Sequence, residues 1–173
     1  MHELILGGAR SGKSRLAETL AVNSGLEVMY IATSQALDEE MRARIAHHKA
    51  QRPAHWQLIE EPVQLAKVIA QHARAERCLL IDCLTLWLTN LLLDADLDAL
   101  AREQQALLDT LKQAPGRIIM VSNETGLGVV PMGELSRRYV DQAGWLHQAI
   151  AAISDRVIFT VAGLPMVLKG DAL

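Results

Sequence analysis

Residues 7–14 read Gly-Gly-Ala-Arg-Ser-Gly-Lys-Ser, and this segment constrains the fold more than any other part of the chain. It matches the pattern G-x-x-x-x-G-K-[ST], which requires a strand before it and a helix after it. A short apolar run at residues 3–6 precedes the pattern, and residues 14–23 follow it with Leu16 and Leu20 one helical turn apart. The sequence therefore predicts a strand, a glycine-rich loop and a helix at the start of the chain.

The rest of the chain continues this alternation. Apolar runs predict further strands at residues 27–32, 58–60, 78–82, 117–122 and 156–161. Helical spacing and helix-forming residues predict helices at residues 38–49, 63–75, 84–93, 97–113 and 134–153. This order predicts an α/β fold with a mostly parallel sheet covered by helices on both faces, the three-layer RecA-like architecture of P-loop NTPases. Ligands of such sheets bind outside the carboxyl ends of the strands.

Length and composition limit the class of protein. A chain of 173 residues is long enough for one compact unit, and we expect residues 1–173 to form a single nucleotide-binding catalytic domain. The formal net charge of -3 argues against nucleic-acid binding. The N-terminus lacks the features of a secretory signal, and the most apolar stretch, residues 84–93, is about half as long as a membrane helix. Together with Cys78 and Cys83, which we expect to be reduced, buried thiols, this predicts a cytoplasmic protein without a membrane span.

The residue types in the glycine-rich loop each have a role in phosphate binding. Glycines let backbone N–H groups turn toward the phosphates, and the helix N-terminus adds partial positive charge. Lys13 is expected to reach the β- and γ-phosphates of ATP or GTP, and Ser14 is expected to ligate Mg²⁺. The predicted nucleotide-binding residues of the loop are Gly7, Gly8, Ala9, Arg10, Ser11, Gly12, Lys13 and Ser14.

Asp82 ends the predicted strand 78–82, which is where the carboxylate of a P-loop metal site would lie. The alternative is that Asp82 caps the helix that begins near Leu84. We favour ligation of Mg²⁺, because a P-loop needs an acid near the metal.

Two adjacent histidines, His47 and His48, stand near the end of the predicted helix 38–49. A neutral imidazole is a nucleophile or a general base near pH 7, so either histidine could act on a phosphoryl centre. His48 shares a helix face with Ile45 and His47 shares another with Arg44, so spacing alone does not choose between them. The alternative is a solvated, well-capped helix without a chemical role.

Other polar residues have both a functional and a structural interpretation. Glu60 and Glu61 could bind ribose hydroxyls or a metal, or simply lie in water. Residues 120–131 (MVSNETGLGVVP) predict a strand followed by a loop at the carboxyl edge of the sheet. Arg137 and Arg138 could lend charge to phosphates or merely coat a helix. The Asn-Lys-x-Asp motif of regulatory GTPases is missing from the sequence, so base preference does not follow from spacing.

Several motifs taken together resemble one family. They are GGARSGKS, YIATSQ, HHKAQRP with the Glu pair that follows it, DCLTLWLTNLL, VSNETGLGVVP and the closing AGLP. In this order, and over nearly the whole chain, they resemble the bifunctional adenosylcobinamide kinase/adenosylcobinamide-phosphate guanylyltransferases. The resemblance implies phosphorylation of the aminopropanol hydroxyl of adenosylcobinamide by ATP or GTP. It further implies transfer of GMP from GTP to that phosphate, which releases pyrophosphate and forms adenosylcobinamide-GDP.

The resemblance also implies site residues. In the family the first histidine of the HH pair carries a guanylyl group, and its match is His47, which with Lys13 forms the predicted catalytic set. Mg²⁺ is the implied cofactor, with Ser14 and Asp82 as ligands, and a homotrimer is the implied assembly. The predicted nucleotide contacts outside the loop are Thr33, Ser34, Gln35, His48, Lys49, Ala50, Gln51, Glu60 and Asp82.

The sequence departs from the family pattern at two positions. Asp82 stands where relatives can have Glu, and Thr125 stands where we expect a branched apolar residue. Two other functions stay open at this point. A single-step small-molecule kinase predicts no guanylylated protein. A nucleotide-gated interaction module is less favoured, because the sequence has no long insertion, coiled coil or charged tail suited to a partner.

Overall fold

The computed structural model describes residues 1–35, 39, 42, 53–94, 96 and 98–173. Of the predicted helix 38–49, only Glu39 and Arg42 are among these residues. The prediction for this helix therefore stays untested.

The described residues form seven strands and five helices. The strands are β1 (His2–Gly7), β2 (Glu27–Ala32), β3 (Gln57–Glu60), β4 (Arg77–Asp82), β5 (Arg117–Asn123), β6 (Arg156–Val161) and β7 (Leu164–Lys169). The helices are α1 (Lys13–Val22), α2 (Leu65–His72), α3 (Leu84–Leu92), α4 (Ala99–Gln113) and α5 (Glu134–Ile153).

All seven strands belong to one sheet, in the order β3-β2-β4-β5-β1-β6-β7. Neighbouring strands run parallel except β6 and β7, which are antiparallel. The last residue of β1, Gly7, is in register with Asn123 of β5, and Asp82 at the end of β4 is in register with Ala32 of β2. The carboxyl ends of these strands thus form one edge. The predicted mostly parallel sheet is confirmed.

The central strands are apolar because both faces of the sheet are covered. In β1, Leu4 and Leu6 pack into the core beneath α2, α3, α4 and α5, while Ile5 packs into the opposite core against Ala17 and Ala21 of α1. Successive side chains of a strand point to opposite faces, so an unbroken apolar run serves both layers. This arrangement confirms the predicted three-layer architecture.

Among the described elements, the largest differences from the predicted ones are at α2 and at β7. The helix predicted at residues 63–75 is shorter, Leu65–His72. Before it, Oε1 of Glu61 accepts hydrogen bonds from the backbone N–H groups of Val63 and Gln64, and after it Ala73 has an extended backbone conformation. The sequence does not predict β7, because no helix separates it from β6 and βα alternation gives no sign of it.

The structure also bears on the predicted absence of a membrane span and on the two cysteines. No helix among the described residues is long and apolar enough to cross a membrane. Cys78 and Cys83 are free thiols, and Cys78 is buried as predicted, whereas Cys83 is only partly buried.

Candidate nucleotide-binding site

The glycine-rich loop connects β1 to α1 at the carboxyl edge of the sheet. Lys13 is the first residue of α1, and its Nζ donates a hydrogen bond of 2.7 Å to the backbone oxygen of Gly8 across the loop. Gly12, the N-cap of α1, has a φ of 96°, a left-handed conformation that favours glycine. At Gly7 a Cβ atom would overlap the backbone oxygen of Thr160. Both glycines are therefore required by the backbone path of the loop.

The turn between β6 and β7 packs against this loop. The backbone N–H of Gly163 donates to the backbone oxygen of Ser11 at 2.9 Å, and a Cβ on Gly12 would lie 3.2 Å from Cα of Gly163. The closing AGLP motif is thus part of the support of the phosphate-binding loop, although it lies about 150 residues away in sequence.

Asp82 lies at the end of β4, on the same edge as the loop. Its Oδ2 accepts a hydrogen bond of 3.0 Å from the hydroxyl of Tyr30. Burial lowers the pKa of Lys13, and the neighbouring carboxylate of Asp82 acts against that shift. The N-cap of α3 is Cys83 and has no side-chain capping bond, so the alternative role of Asp82 as a helix cap is not supported.

The donor set at this edge fits Mg²⁺ held together with a nucleotide. Ser14 in the first turn of α1 offers a hydroxyl and Asp82 offers a carboxylate, both of them hard oxygen donors. Within the described residues no group of three or more His, Cys, Asp or Glu could hold a metal ion by itself. Mg²⁺ is usually bound by one or two carboxylates and by substrate phosphates, so a hydroxyl and one carboxylate suit this ion.

Thr33 links the ends of β2 and β4. Its side chain is fully buried, and its Oγ1 donates to the backbone oxygen of Cys83 at 2.6 Å and accepts from the N–H of Cys83 at 3.0 Å. The amide of Asn90 donates to the backbone oxygen of Thr33 at 2.9 Å. Thr33 therefore holds the strand that carries Asp82, and its predicted nucleotide contact stays a prediction.

The remaining predicted site residues fall into two groups. Glu60 ends β3 in register with Ala32, so it lies at the carboxyl edge, and Ser34 and Gln35 directly follow Thr33. The others lie outside the described residues: His47, His48, Lys49, Ala50 and Gln51. The structure thus brings the loop, Asp82 and Glu60 to one edge of the sheet, and the roles of the histidines stay predictions.

From the sequence, Arg137 and Arg138 of α5 could either lend charge to phosphates or merely coat the helix. Nη1 of Arg137 donates to the backbone oxygens of Pro131 and Met132, which lie in the loop after β5. Arg137 therefore fastens that loop to the start of α5, and Arg138 beside it is exposed.

Sequence reasoning missed a buried polar cluster under the end of β5. Nε2 of His147 lies 2.8 Å from Oγ of Ser122, and Nδ1 lies 3.7 Å from Oε2 of Glu124. Oγ1 of Thr85 lies 3.4 Å from the same Ser122 oxygen and accepts from the N–H of Asn123 at 2.7 Å. The only sequence signal for this cluster is a polar residue, His147, on the buried face of an amphipathic helix. The cluster fixes the end of β5 between the glycine-rich loop and Asp82.

We expect His147 to make stability depend on pH. Burial lowers the pKa of its imidazole below 6.5, and the Glu124 carboxylate only partly opposes this. Between the folded-state pKa and 6.5 the unfolded chain binds more protons, so the free energy of unfolding should fall as the pH falls through that range. Urea unfolding of wild type and His147→Asn between pH 8 and 5 should show a smaller pH slope in the variant. An unchanged slope in His147→Asn, or an equal loss in the exposed control His55→Asn, would contradict this assignment.

A family model described as "Cobinamide kinase / cobinamide phosphate guanyltransferase" matches residues 3–168. The chain belongs to this family. It is a bifunctional transferase, a cobinamide kinase and cobinamide phosphate guanylyltransferase, and the single-step kinase is not favoured.

Curated relatives agree with this assignment. The chain is 69% identical over 173 residues to the bifunctional adenosylcobalamin biosynthesis protein CobP of Pseudomonas aeruginosa, and the match covers 100% of both chains. It is 40% identical over 182 residues to the bifunctional adenosylcobalamin biosynthesis protein CobU of Escherichia coli K12, covering 98% of this chain and 100% of that protein.

Solved structures agree with the fold. The flagellar accessory protein FlaH of Methanocaldococcus jannaschii has 17% identity and a TM-score of 0.51, covering 98% of this chain and 78% of that one. The protein PH0250 of Pyrococcus horikoshii has 10% identity and a TM-score of 0.54, covering 99% and 87%. At such low identity the likeness shows the fold alone, a mostly parallel sheet covered by helices, as predicted from the sequence.

Proposed function

We propose that the chain phosphorylates the aminopropanol hydroxyl of adenosylcobinamide with ATP or GTP, and then transfers GMP from GTP to the resulting phosphate. The products of the second reaction are adenosylcobinamide-GDP and pyrophosphate. The observation that carries the proposal is the glycine-rich loop with Lys13 and Asp82 at one sheet edge, in a chain that matches the cobinamide kinase family over residues 3–168.

The kinase step depends on positioning and on charge, since phosphoryl transfer requires no covalent enzyme group. Lys13 and the N-terminus of α1 would stabilise the negative charge on the transferred phosphoryl group. Ser14 and Asp82 would hold Mg²⁺, which neutralises charge on the phosphates when it is bound. Tyr30 and Thr33 support this set, because they hydrogen-bond Asp82 and Cys83 and so keep the carboxylate in place.

The guanylyltransferase step requires a nucleophile, for which we propose His47. A neutral imidazole nitrogen attacks the α-phosphorus of GTP, a P–N bond forms, and the bond to the leaving pyrophosphate breaks. An oxygen of adenosylcobinamide phosphate then attacks the same phosphorus, the P–N bond breaks, and the imidazole is regenerated. The loop that would hold the triphosphate for the kinase step would stabilise the leaving pyrophosphate in this step, so one site serves both reactions.

The proposal also covers the remaining nucleotide contacts, the class of substrate, the oligomeric state and the cellular location. We assign the remaining nucleotide contacts to Thr33, Ser34, Gln35, His48, Lys49, Ala50, Gln51 and Glu60. The substrates are small molecules and not nucleic acid, which accords with the net charge of -3. Family resemblance supports a homotrimer, and the reduced cysteines accord with the cytoplasm.

The test is labelling with Mg²⁺ and GTP that carries the label at the α-phosphate. Wild type should retain acid-labile label on the protein, and His47→Ala should retain none, because its side chain has no nucleophile. His48→Ala is the matched control and should still be labelled, at a higher GTP concentration. If wild type binds GTP but acquires no label, the covalent route is wrong and the single-step kinase is the better description.

A further inference from the structure

An apolar cleft lies between α3 and α5, on the face of the sheet opposite α1. Its volume is about 430 Å³, within the range of small-molecule sites. The lining residues that the structure describes are mostly aliphatic, and none of these is charged. They include Leu92, Leu93, Val129, Leu135, Tyr139 and Val140. A site of this composition suits a ligand with a large apolar surface and poorly suits a free nucleotide or an acidic peptide.

The cleft is adjacent to the phosphate-binding edge. Thr125 lines it, and the preceding residue, Glu124, donates its backbone N–H to the backbone oxygen of Gly7 at 2.9 Å. Burial raises the pKa of Tyr139, another lining residue, and the nearby Cys83 and Glu124 act in the same direction, so all three lie close together. Cys83 directly follows Asp82. A molecule in the cleft would therefore lie beside the ends of β4 and β5, where the phosphates are expected.

The loop after β5 extends this apolar surface outward. Val129 is 97% exposed, Met132 is 95% exposed and Leu127 is 79% exposed. Exposed apolar side chains clustered in this way commonly mark a binding surface. They contribute almost no burial to the folded chain, so a stabilising role does not explain them. The cleft together with residues 127–132 forms an apolar surface larger than the cavity alone.

We propose that this cleft and the loop at its rim bind the corrin ring of the cobinamide substrate. The inference rests on the proposed function, which requires a second substrate to bring its hydroxyl to the nucleotide at this edge. Cobinamide is a bulky macrocycle with hydrocarbon faces and amide arms. The aliphatic walls contact the ring, and the hydroxyls of Thr89 and Ser136 provide hydrogen-bonding groups for the amides.

The experiment uses Val129→Glu and Leu93→Glu, which place a carboxylate where the ring would lie. The matched control is Val22→Glu, since Val22 is 55% exposed and Leu93 is 59% exposed, and Val22 ends α1 on the other face of the sheet. Cobinamide binding is measured by equilibrium dialysis without nucleotide, and KM values are measured for cobinamide and for the nucleotide. Each cleft variant should raise the Kd and KM for cobinamide about tenfold and leave the KM for nucleotide within about twofold. Val22→Glu should change neither.

Each other outcome has a distinct meaning. Unchanged Kd and KM for cobinamide in both cleft variants would overturn the inference. Loss of the wild-type sedimentation mass in the variants, with cobinamide binding lost only as a result, would show instead that the surface joins copies of this chain. If wild type transfers no phosphate to cobinamide, the proposed function fails, and the dialysis arm still decides whether the cleft binds the ring.

Discussion

Lys13→Ala is expected to lower kcat/KM for the kinase reaction on the order of 10²–10³-fold, the usual effect of removing one group that stabilises transition-state charge. Lys13 is 7% exposed at the start of α1, and its ammonium group lies over the loop in contact with the Gly8 carbonyl. Its charge is next to that of Asp82, so removing it also leaves the carboxylate without its neighbouring cation. Steady-state kinetics with varied nucleotide checks the prediction.

The control for this variant is Lys67→Ala, which removes the same charge from an exposed position on α2. Within the described part of the chain Lys67 donates a hydrogen bond to the side chain of Gln64, three residues earlier on the surface, so its loss should leave kcat/KM nearly unchanged. Urea unfolding of both variants separates a kinetic effect from loss of folded protein. A Lys13→Ala enzyme that stays folded and keeps more than about a third of the wild-type kcat/KM would contradict the assigned role.

Glu3→Ala should reduce the free energy of unfolding by about 3–5 kcal/mol, because removing one partner of a buried ion pair leaves the other charge uncompensated. Glu3 is completely buried near the start of β1. Its Oε2 accepts from Nε of Arg117 at 2.7 Å, and its Oε1 accepts from Nε of Arg156 at 2.8 Å and from Nη2 of the same residue. The loss is a large share of the stability of a typical domain, so unfolding should require much less urea.

A surface ion pair provides the matched control for Glu3. Glu27→Ala breaks the 2.8 Å contact with Arg77, but the Glu27 side chain is 43% exposed, so the cost should be below about 1 kcal/mol. If Glu3→Ala does not fold, Glu3→Gln retains an acceptor oxygen and should show an intermediate loss. Equal losses for Glu3→Ala and Glu27→Ala would mean that the buried cluster adds no stability beyond that of a surface pair.

The ion pairs of Glu3 could not be predicted from the residues next to it in the sequence. Glu3 is a charged residue at the edge of an apolar run, which by itself suggests a strand end in water. Arg117 and Arg156 are 114 and 153 residues away in sequence, and only the pairing of β1 with β5 and β6 brings them to it. The same reason applies to His147, Ser122 and Glu124, which meet only when α5 packs under the end of β5.

The sequence by itself determined the glycine-rich loop, the order of the described strands and helices before β7, and the family, because each depends on residues close together along the chain. The glycines allow the backbone to turn around the phosphates, and the side chains of Lys13 and Ser14 reach the same place from the next turn. The spacing of these residues along the sequence is therefore enough to predict the loop. Only the tertiary structure decided the strand order, the position of β5 between the loop and Asp82, the packing of Gly163 on that loop, and the cleft between α3 and α5. These features depend on contacts between distant segments, which form because both faces of the sheet must be buried.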